Sequence, residues 1–452
     1  MEYFCLANSD EIGASCHALK CGDETVVVDS GLHPKMKGHD ATPPHELLES
    51  ERVNSIVLTH SHLDHTGTIP VVQRQFPKAK VYMTPPTYDL ADAMLHNSVN
   101  VMTSQAKEHD ITEYPLFTHS VVEECVEKWE TRDHNRKFTV TGGIDLYFQD
   151  AGHIMGSCTA SVYHDGKKVL FTGDVQTEDQ TLIKGADIKS EGDYDAIIME
   201  TTRGASPRPE GFTREAEEAR LAKAIVNGLE AGGAVLIPVF AMGKTQEVLT
   251  MISQFKATKM IPNVPVHVGG LSVKMTTIYD RHSKRTRRKT PRFNILRDMK
   301  LKVARRSKGK GAPLIPRAGE IYCLSSGMMS EKTVSNMFAR HFIDKSQNSL
   351  LFVGYADPTT PAGIIRASST GDMIALDENN PKLPLECTVE EFDFSGHAPR
   401  EDLLDIAIGS GAKKIFLTHG DEDAREWFRE QLSEAMPESE IIIPEPGKRY
   451  SI

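Results

Sequence analysis

The stretch LTHSHLDHTG, residues 58–67, places His60, His62, Asp64 and His65 within six consecutive positions. Histidine is only 18 of 452 residues, so a grouping of this kind arises by chance in about one such chain in a thousand. Imidazoles and a carboxylate at this density are the donor set of a metal site. His60 and His62 are two apart, and in extended chain both rings point to one side. Asp64 and His65 follow at a turn into a helix and can face a second position nearby. Ionisable groups end other short apolar runs too: Asp29 after TVVV, His153 after LYFQDAG, Asp174 after VLFTG, Glu200 after AIIM, His397 after FDFSG and His419 after KIFLT. One zinc takes three or four ligands. With His153, Asp174 and His419 the donors number seven, which suits two ions sharing a carboxylate. Such ion pairs, about 3.5–4 Å apart, serve phosphoryl chemistry. Asp29 and Glu200, read alone, also fit a helix N-cap or a turn, Asp29 the more readily because Ser30 and Gly31 follow it.

These endings need a scaffold that brings them together. Strands buried between helices do so, because the loops after them converge at one edge of the sheet. The runs that carry the endings are short and β-branched, as buried strands are. Helical periodicity fills the intervals. Leu221, Ile225 and Leu229 recur four apart in REAEEARLAKAIVNGLEAGG, which stops at Gly232 and Gly233. TQEVLTMISQF and DAREWFREQLSEA read likewise. From Gly204 to about Glu386 strand and helix signals continue, but the His and acid endings cease. The sequence therefore predicts an α/β chain in three stretches: a ligand-bearing domain over 1–203, an inserted domain over 204–386, and the remainder of the first domain over 387–452. GKT at 243–245 lacks the upstream glycine of a phosphate loop, Pro238 standing in its place, and reads as a strand-to-helix turn of the insertion. Cys158, five residues after His153, reads as a small apolar residue packed behind the site.

The composition is that of a globular chain, 39% hydrophobic and 25% charged. Seven scattered cysteines without CxxC argue against a cysteine zinc site or a disulfide framework and fit a reducing cytoplasm. No run approaches the twenty or so apolar residues of a membrane span. Glu2 heads an N-terminus without the basic and apolar regions of a secretory signal. The net charge of −11 opposes a polyanionic partner, but the charge is unevenly spread. Residues 281–310 hold fourteen Lys and Arg against Asp298 alone. That stripe is either a plain solvated face or a source of phosphate contacts, with Phe293 available to stack on a base.

In order and spacing, the Asp29 strand end, HSHLDH, AGHIMGS and FTGD resemble the metallo-β-lactamase fold. METTRG, FDFSGHA and FLTHGD, divided by a long insertion, resemble its β-CASP branch, which processes nucleic acids. DSGLHP, IPVFAMGKTQEVL and SSGM fit the same branch, so the resemblance covers nearly the whole chain. It implies a metallo-β-lactamase αββα sandwich with an inserted α/β β-CASP domain, and an RNA-processing nuclease with two Zn2+ per chain. Carried onto these residues, it implies His60, His62 and His153 on one zinc, Asp64, His65 and His419 on the other, and Asp174 bridging. Asp29 would orient ligands, His397 would protonate the leaving oxygen, Glu200 would hold His397, and Asp64 would stand among the groups nearest the chemistry.

Members of the branch that act on RNA carry histidine where His419 stands, and those that act on DNA carry an apolar residue. Single-stranded RNA is thus the expected substrate, cut internally, from the 5′ end, or both. The expected substrate contacts are Ser326 of SSGM, Tyr355, and Arg287, Arg288 and Phe293 of the basic segment. GYADPTTPAGIIRAS departs from the family pattern after Gly354 and Tyr355, and EKTVSN replaces a glycine pair after SSGMMS; these departures bear on substrate contact rather than chemistry. A hydrolase of the same fold acting on thioesters or lactams would not need the insertion, Glu200 or His397. A non-catalytic relative would have lost ligands that are all present here, and a DNA-acting nuclease is the remaining alternative. A homodimer is compatible with the chain, though no motif specifies one.

Overall fold

A computed structural model describes residues 1–7, 12–189, 192–304 and 314–452, and the chain divides into two compact units. The first comprises 1–179, 185–208 and 397–452; the second comprises 180–184 and 209–396. No helix among the described residues is long and apolar enough to cross a membrane.

The first unit holds two seven-stranded sheets. One runs from edge to edge through Tyr450–Ser451, Glu2–Cys5, His17–Cys21, Glu24–Val28, Val53–Val57, Lys80–Met83 and Trp129–Thr131. The other runs through Glu440–Ile442, Lys414–Thr418, Ala196–Glu200, Lys167–Phe171, Cys158–His164, Asp145–Asp150 and Lys137–Thr139. Each is antiparallel in one half and parallel in the other. The parallel halves are made of β-branched runs such as TVVV and AIIM, which suit strands covered on both faces. Val26, Val28 and Val57 of one sheet pack with Phe148, Phe171, Ile198 and Phe416 of the other. Cys158 is fully buried in that layer, as a small hydrophobe would be.

Helices cover the two outer faces. Pro85–His109 packs Ala91, Leu95 and Val99 on the first sheet. It starts cleanly because Thr84 Oγ1 accepts the Thr87 N–H and prolines occupy the first turn. Glu422–Ala435 lays Phe428 and Leu432, four apart, on the second sheet. The result is a four-layer αββα sandwich.

The second unit is a six-stranded, wholly parallel sheet in the order Lys302–Ala304, Val266–Gly269, Ile321–Leu324, Val235–Pro238, Ser349–Phe352, Thr388–Glu391. Leu236, Tyr322, Leu324, Leu350 and Phe352 form one buried face with Phe338, Phe342 and Ile365. The alternate positions Val235, Ile237, Cys323 and Leu351 turn to the opposite face and are equally buried. GKT lies where it was expected, at the turn from the strand Val235–Pro238 into the helix Lys244–Ala257, with Gly243 at the N-cap and Lys244 and Thr245 opening the helix.

The boundaries differ from those expected. Thr388–Glu391 pairs in parallel with Ser349–Phe352, so the second unit runs on to Gly396 and the first resumes at His397, not at 387. TVEE is a half-exposed edge strand, and nothing in its polar sequence says which sheet it joins. Residues 180–184 also belong to the second unit, where Ile183 bridges to Arg288 and Glu247 accepts the N–H groups of Thr181 and Leu182. Of the basic segment, residues 305–310 lie outside the described residues.

Candidate metal centre

The loops after the parallel strands of the first unit converge as the strand-end pattern required. Glu24–Val28 leads to Asp29, Val53–Val57 to His60, Lys167–Phe171 to Asp174, and Lys414–Thr418 to His419. His62 caps the short helix Leu63–Thr66, which carries Asp64 and His65. Ala196–Glu200 runs in register with Lys414–Thr418, Glu200 opposite Thr418, which sets Glu200 beside His419. Glycines let the backbone approach this closely. Gly173 has φ +53, and a Cβ there would lie 2.9 Å from Thr59 Cβ; Gly152, before His153, has φ +69 and would meet Gln176 O at 2.3 Å.

Two groups of expected ligands result, and a third set of donors joins Asp174 to Glu200 and His397. His60, His62, His153 and Asp174 present ligand atoms within 4.8 Å of one another, as do Asp64, His65 and His419. Asp174 faces both: Oδ2 lies 3.5 Å from His60 Nε2 and 3.6 Å from His153 Nε2, while Oδ1 lies 3.3 Å from His65 Nε2, itself 3.4 Å from His419 Nε2. His62 Nδ1 is 3.0 Å from His153 Nε2, and His419 Nε2 is 3.3 Å from Asp64 Oδ2. Donors 2.0–2.1 Å from a tetrahedral zinc are about 3.3–3.4 Å apart. The observed spacings therefore fit a cation in each group. His60 Nε2 supports this directly, being buried and aimed into the first group without a hydrogen-bond partner among the described residues.

The surrounding hydrogen bonds fix which nitrogen faces inward. His65 Nδ1–H donates to Asp29 Oδ2 at 2.7 Å, turning Nε2 to the site. The Thr59 hydroxyl donates to the same oxygen at 2.7 Å, so its lone pair accepts His60 Nδ1–H at 3.2 Å and leaves His60 Nε2 unprotonated. Asp29 thus orients one histidine in each group, one directly and one through Thr59. It does so from the left-handed region, φ +60, and caps no helix.

The electrostatics agree with a site built for cations. Burial holds His60 well below the usual histidine range, hence neutral, and lowers His62 as well. Burial would raise the Asp174 carboxyl, but His419, His65 and His60 outweigh it and keep the group charged. Burial would also lower His65, yet Asp174 and Asp29 reverse the effect and raise it. Protons on His65, and on His419 for like reasons, stand where a cation's charge would and must leave when one binds.

Beside this cluster Glu200 Oε2 accepts from His397 Nδ1 at 2.9 Å, and Glu200 Oε1 accepts the Val175 N–H at 2.6 Å. Glu200 ends its strand and forms no turn or cap. Burial would lower His397, but Glu200 more than offsets it, with Asp174 and Asp64 beyond, and raises it to about 9.

The remaining expected residues belong to the second unit. The Ser326 hydroxyl accepts the Ser330 N–H at 3.3 Å within a turn, and Tyr355 is 57% exposed. Arg287 and Phe293 are partly exposed. Arg288 departs from expectation: its side chain is buried, and its guanidinium donates to the carbonyls of Tyr279 and Phe293, so it cannot reach a substrate without unpacking. Two residues went unnoticed in the sequence, Thr59 and Thr202. Both are threonines beside site residues at strand ends, a type too common in strands to stand out.

Family profiles match three successive stretches: the metallo-beta-lactamase superfamily over residues 10–223, the Beta-Casp domain over 245–365 and the Zn-dependent metallo-hydrolase RNA specificity domain over 382–444. The Endoribonuclease YSH1 of Saccharomyces cerevisiae is 27% identical over 443 residues, covering 93% of this chain and 54% of its own. That of Eremothecium gossypii is 26% identical over 437 residues, with 93% and 55% covered. The Transcription termination factor FttA of Methanosarcina mazei is 26% identical over 436 residues, with 93% and 67% covered. The chain thus spans about half the length of the YSH1 relatives. A crystal structure of a protein of unknown function from Enterococcus faecalis aligns over 99% of both chains with a TM-score of 0.57 at 12% identity, and so shares the fold. With three domains matched in succession around a metal-binding constellation, the chain belongs to the β-CASP branch of the metallo-β-lactamase superfamily.

Proposed function

We propose that this chain is a zinc-dependent ribonuclease that holds two Zn2+ ions and hydrolyses phosphodiester bonds of single-stranded RNA. The observation that carries the reading is Asp174, one carboxylate oxygen turned to His60 and His153 and the other to His65 and His419. His60, His62 and His153 would hold one ion, Asp64, His65 and His419 the other, with Asp174 shared. Bound there, the pair supplies Lewis acidity for the phosphate oxygens and acidifies a water.

The chain's own residues do the rest. His397, raised to about 9, is protonated at neutral pH. Its Nδ1–H is committed to Glu200, so Nε2, the ring nitrogen turned away from Glu200, is the one that delivers a proton to the leaving oxygen. Glu200 is itself fixed by the Val175 N–H, which keeps the imidazole aimed. RNA is favoured because the RNA specificity profile spans both His397 and His419. The relatives named endoribonuclease and transcription termination factor support it too.

Cleavage of 5′-labelled single-stranded RNA by zinc-loaded protein, with matched DNA and His397→Ala in parallel, tests the reading. The variant should lose about 10²–10⁴ in rate at unchanged zinc content, with DNA spared, and the label will show internal or end-directed cutting. No cleavage of RNA by zinc-replete wild type would overturn the proposal.

A further inference from the structure

Between the helices Ser272–Arg281 and Ile295–Met299 of the second unit, the chain makes a compact loop. Asp280 closes it, its two carboxylate oxygens accepting the N–H groups of Ile295 and Leu296 at 2.8 and 2.9 Å. Arg288 fills it from within, its guanidinium donating to Tyr279 O, Phe293 O and Thr286 Oγ1. The backbone beside Arg288 is pinned as well: Lys184 N donates to Arg287 O, and Lys289 N donates to Leu182 O. A loop with tied ends and a filled interior presents a fixed outer surface.

That surface is basic. Lys284, Arg285, Lys289 and Arg292 are exposed, as is Lys300 just past the second helix. None of these five has an ion-pair partner among the described residues. Their neighbours show what pairing looks like here. Arg297 is held by Asp298 and Lys302 by Glu320. Elsewhere in the unit Arg220, Arg340 and Arg366 each have a carboxylate. In a chain of net charge −11, cations gathered without partners repel one another and serve no need of solubility. They suit a ligand that brings many negative charges of its own.

We propose that this loop binds the phosphate backbone of single-stranded RNA, with Lys284, Arg285, Lys289, Arg292 and Lys300 as the contacting cations and Arg288 as the internal brace. The choice of RNA as the polyanion rests on the nuclease reading. The loop's role as a phosphate-binding surface rests on its own exposure and charge.

The test is the binding of a fluorescent single-stranded RNA to zinc-loaded protein carrying His397→Ala to slow cutting, with and without K284Q, R285Q, K289Q, R292Q and K300Q together. Five phosphate contacts on a single strand give a slope of log affinity against log salt of about −3.5, roughly a hundredfold loss from about 50 to 200 mM salt. The fivefold variant should lose most of that slope while keeping its unfolding temperature and zinc content. K284Q alone should reduce the slope by about 0.7. An unchanged affinity and slope in the folded variant would overturn the proposal, as would absence of salt-dependent RNA binding in the parent. Equal, loop-dependent binding of poly-glutamate would overturn the assignment to RNA in favour of an acidic protein. The two proposals fail separately. Loop-dependent binding by a zinc-replete protein that cuts nothing would sink the nuclease alone, and cutting with loop-independent binding would sink this one alone.

Discussion

Both units gather loops at the carboxyl ends of parallel strands, yet they fill those ends in opposite ways. In the first, the strands run into Asp29, His60, Asp174, Glu200 and His419, all buried. In the second, Val235–Pro238, Val266–Gly269, Ile321–Leu324 and Ser349–Phe352 run into Val239, Gly270, Ser325 and Val353, which carry no charge. Topology decides where a site can form, and side chains decide whether it forms. The difference is also energetic. Buried ionisable groups cost several kcal/mol each unless paired, and in the first unit Asp174 and Asp29 face His65, whose proton holds the place of a metal cation. The second closes its buried charge internally, as Glu247 with Arg214 and the N–H groups of Thr181 and Leu182.

The sharpest way to break this contrast is Asp174→Asn, which keeps the shape and removes the charge both donor groups share. RNA cleavage should fall about 10⁴-fold, near 5 kcal/mol of barrier. Zinc per chain should drop as read by elemental analysis, while hydrogen exchange in the second unit stays as it was. Wild-type rate and metal content in this variant would mean that the carboxylate is not shared.

Metal removal comes next. With zinc at about a thousand times its dissociation constant, chelation should withdraw roughly 4 kcal/mol from the first unit, on the order of 10 °C in its unfolding midpoint. Residue-resolved hydrogen exchange should find the loss in 1–179, 185–208 and 397–452. Equal loss in both units would erase the contrast. The converse perturbation is Glu247→Gln, which should cost the second unit about 3 kcal/mol and leave bound zinc untouched.

How much of this was legible follows from distance along the chain. The 60–65 cluster could be read because its four donors are adjacent, and so could the strand-end pattern that brought in His153, Asp174 and His419. Asp29 could not be told from a turn former on its own. Its role depends on Thr59 and His65, which only the fold brings to it. Arg288 looks like thirteen other cations of its segment until its partners, two backbone carbonyls and the Thr286 hydroxyl, are known. The return to the first unit was misplaced because an edge strand such as TVEE is specified by its neighbour Ser349–Phe352, not by its own residues.

The finest version of the comparison sets two threonines against each other. Thr202 Oγ1–H donates to His419 O at 3.2 Å, so the same oxygen accepts His419 Nδ1–H at 3.0 Å. Nδ1 then carries the proton, and Nε2, facing Asp64, is the bare nitrogen a cation requires. Thr202→Val keeps the shape and deletes the acceptor. Zinc affinity, read by chelator competition, should fall ten- to a hundredfold, about 1.4–2.7 kcal/mol, and Thr202→Ser should restore it. In the second unit Thr245 makes the same kind of bond, its hydroxyl donating to Phe240 O at 2.6 Å beside Ser272 Oγ. No metal-donor cluster among the described residues includes a residue that it touches, so Thr245→Val should cost only about 1 kcal/mol of stability and no zinc. If both variants lost the same stability and neither lost metal, Thr202 would be one more buried hydroxyl, and the tautomer of His419 would have to be set by Asp174 alone.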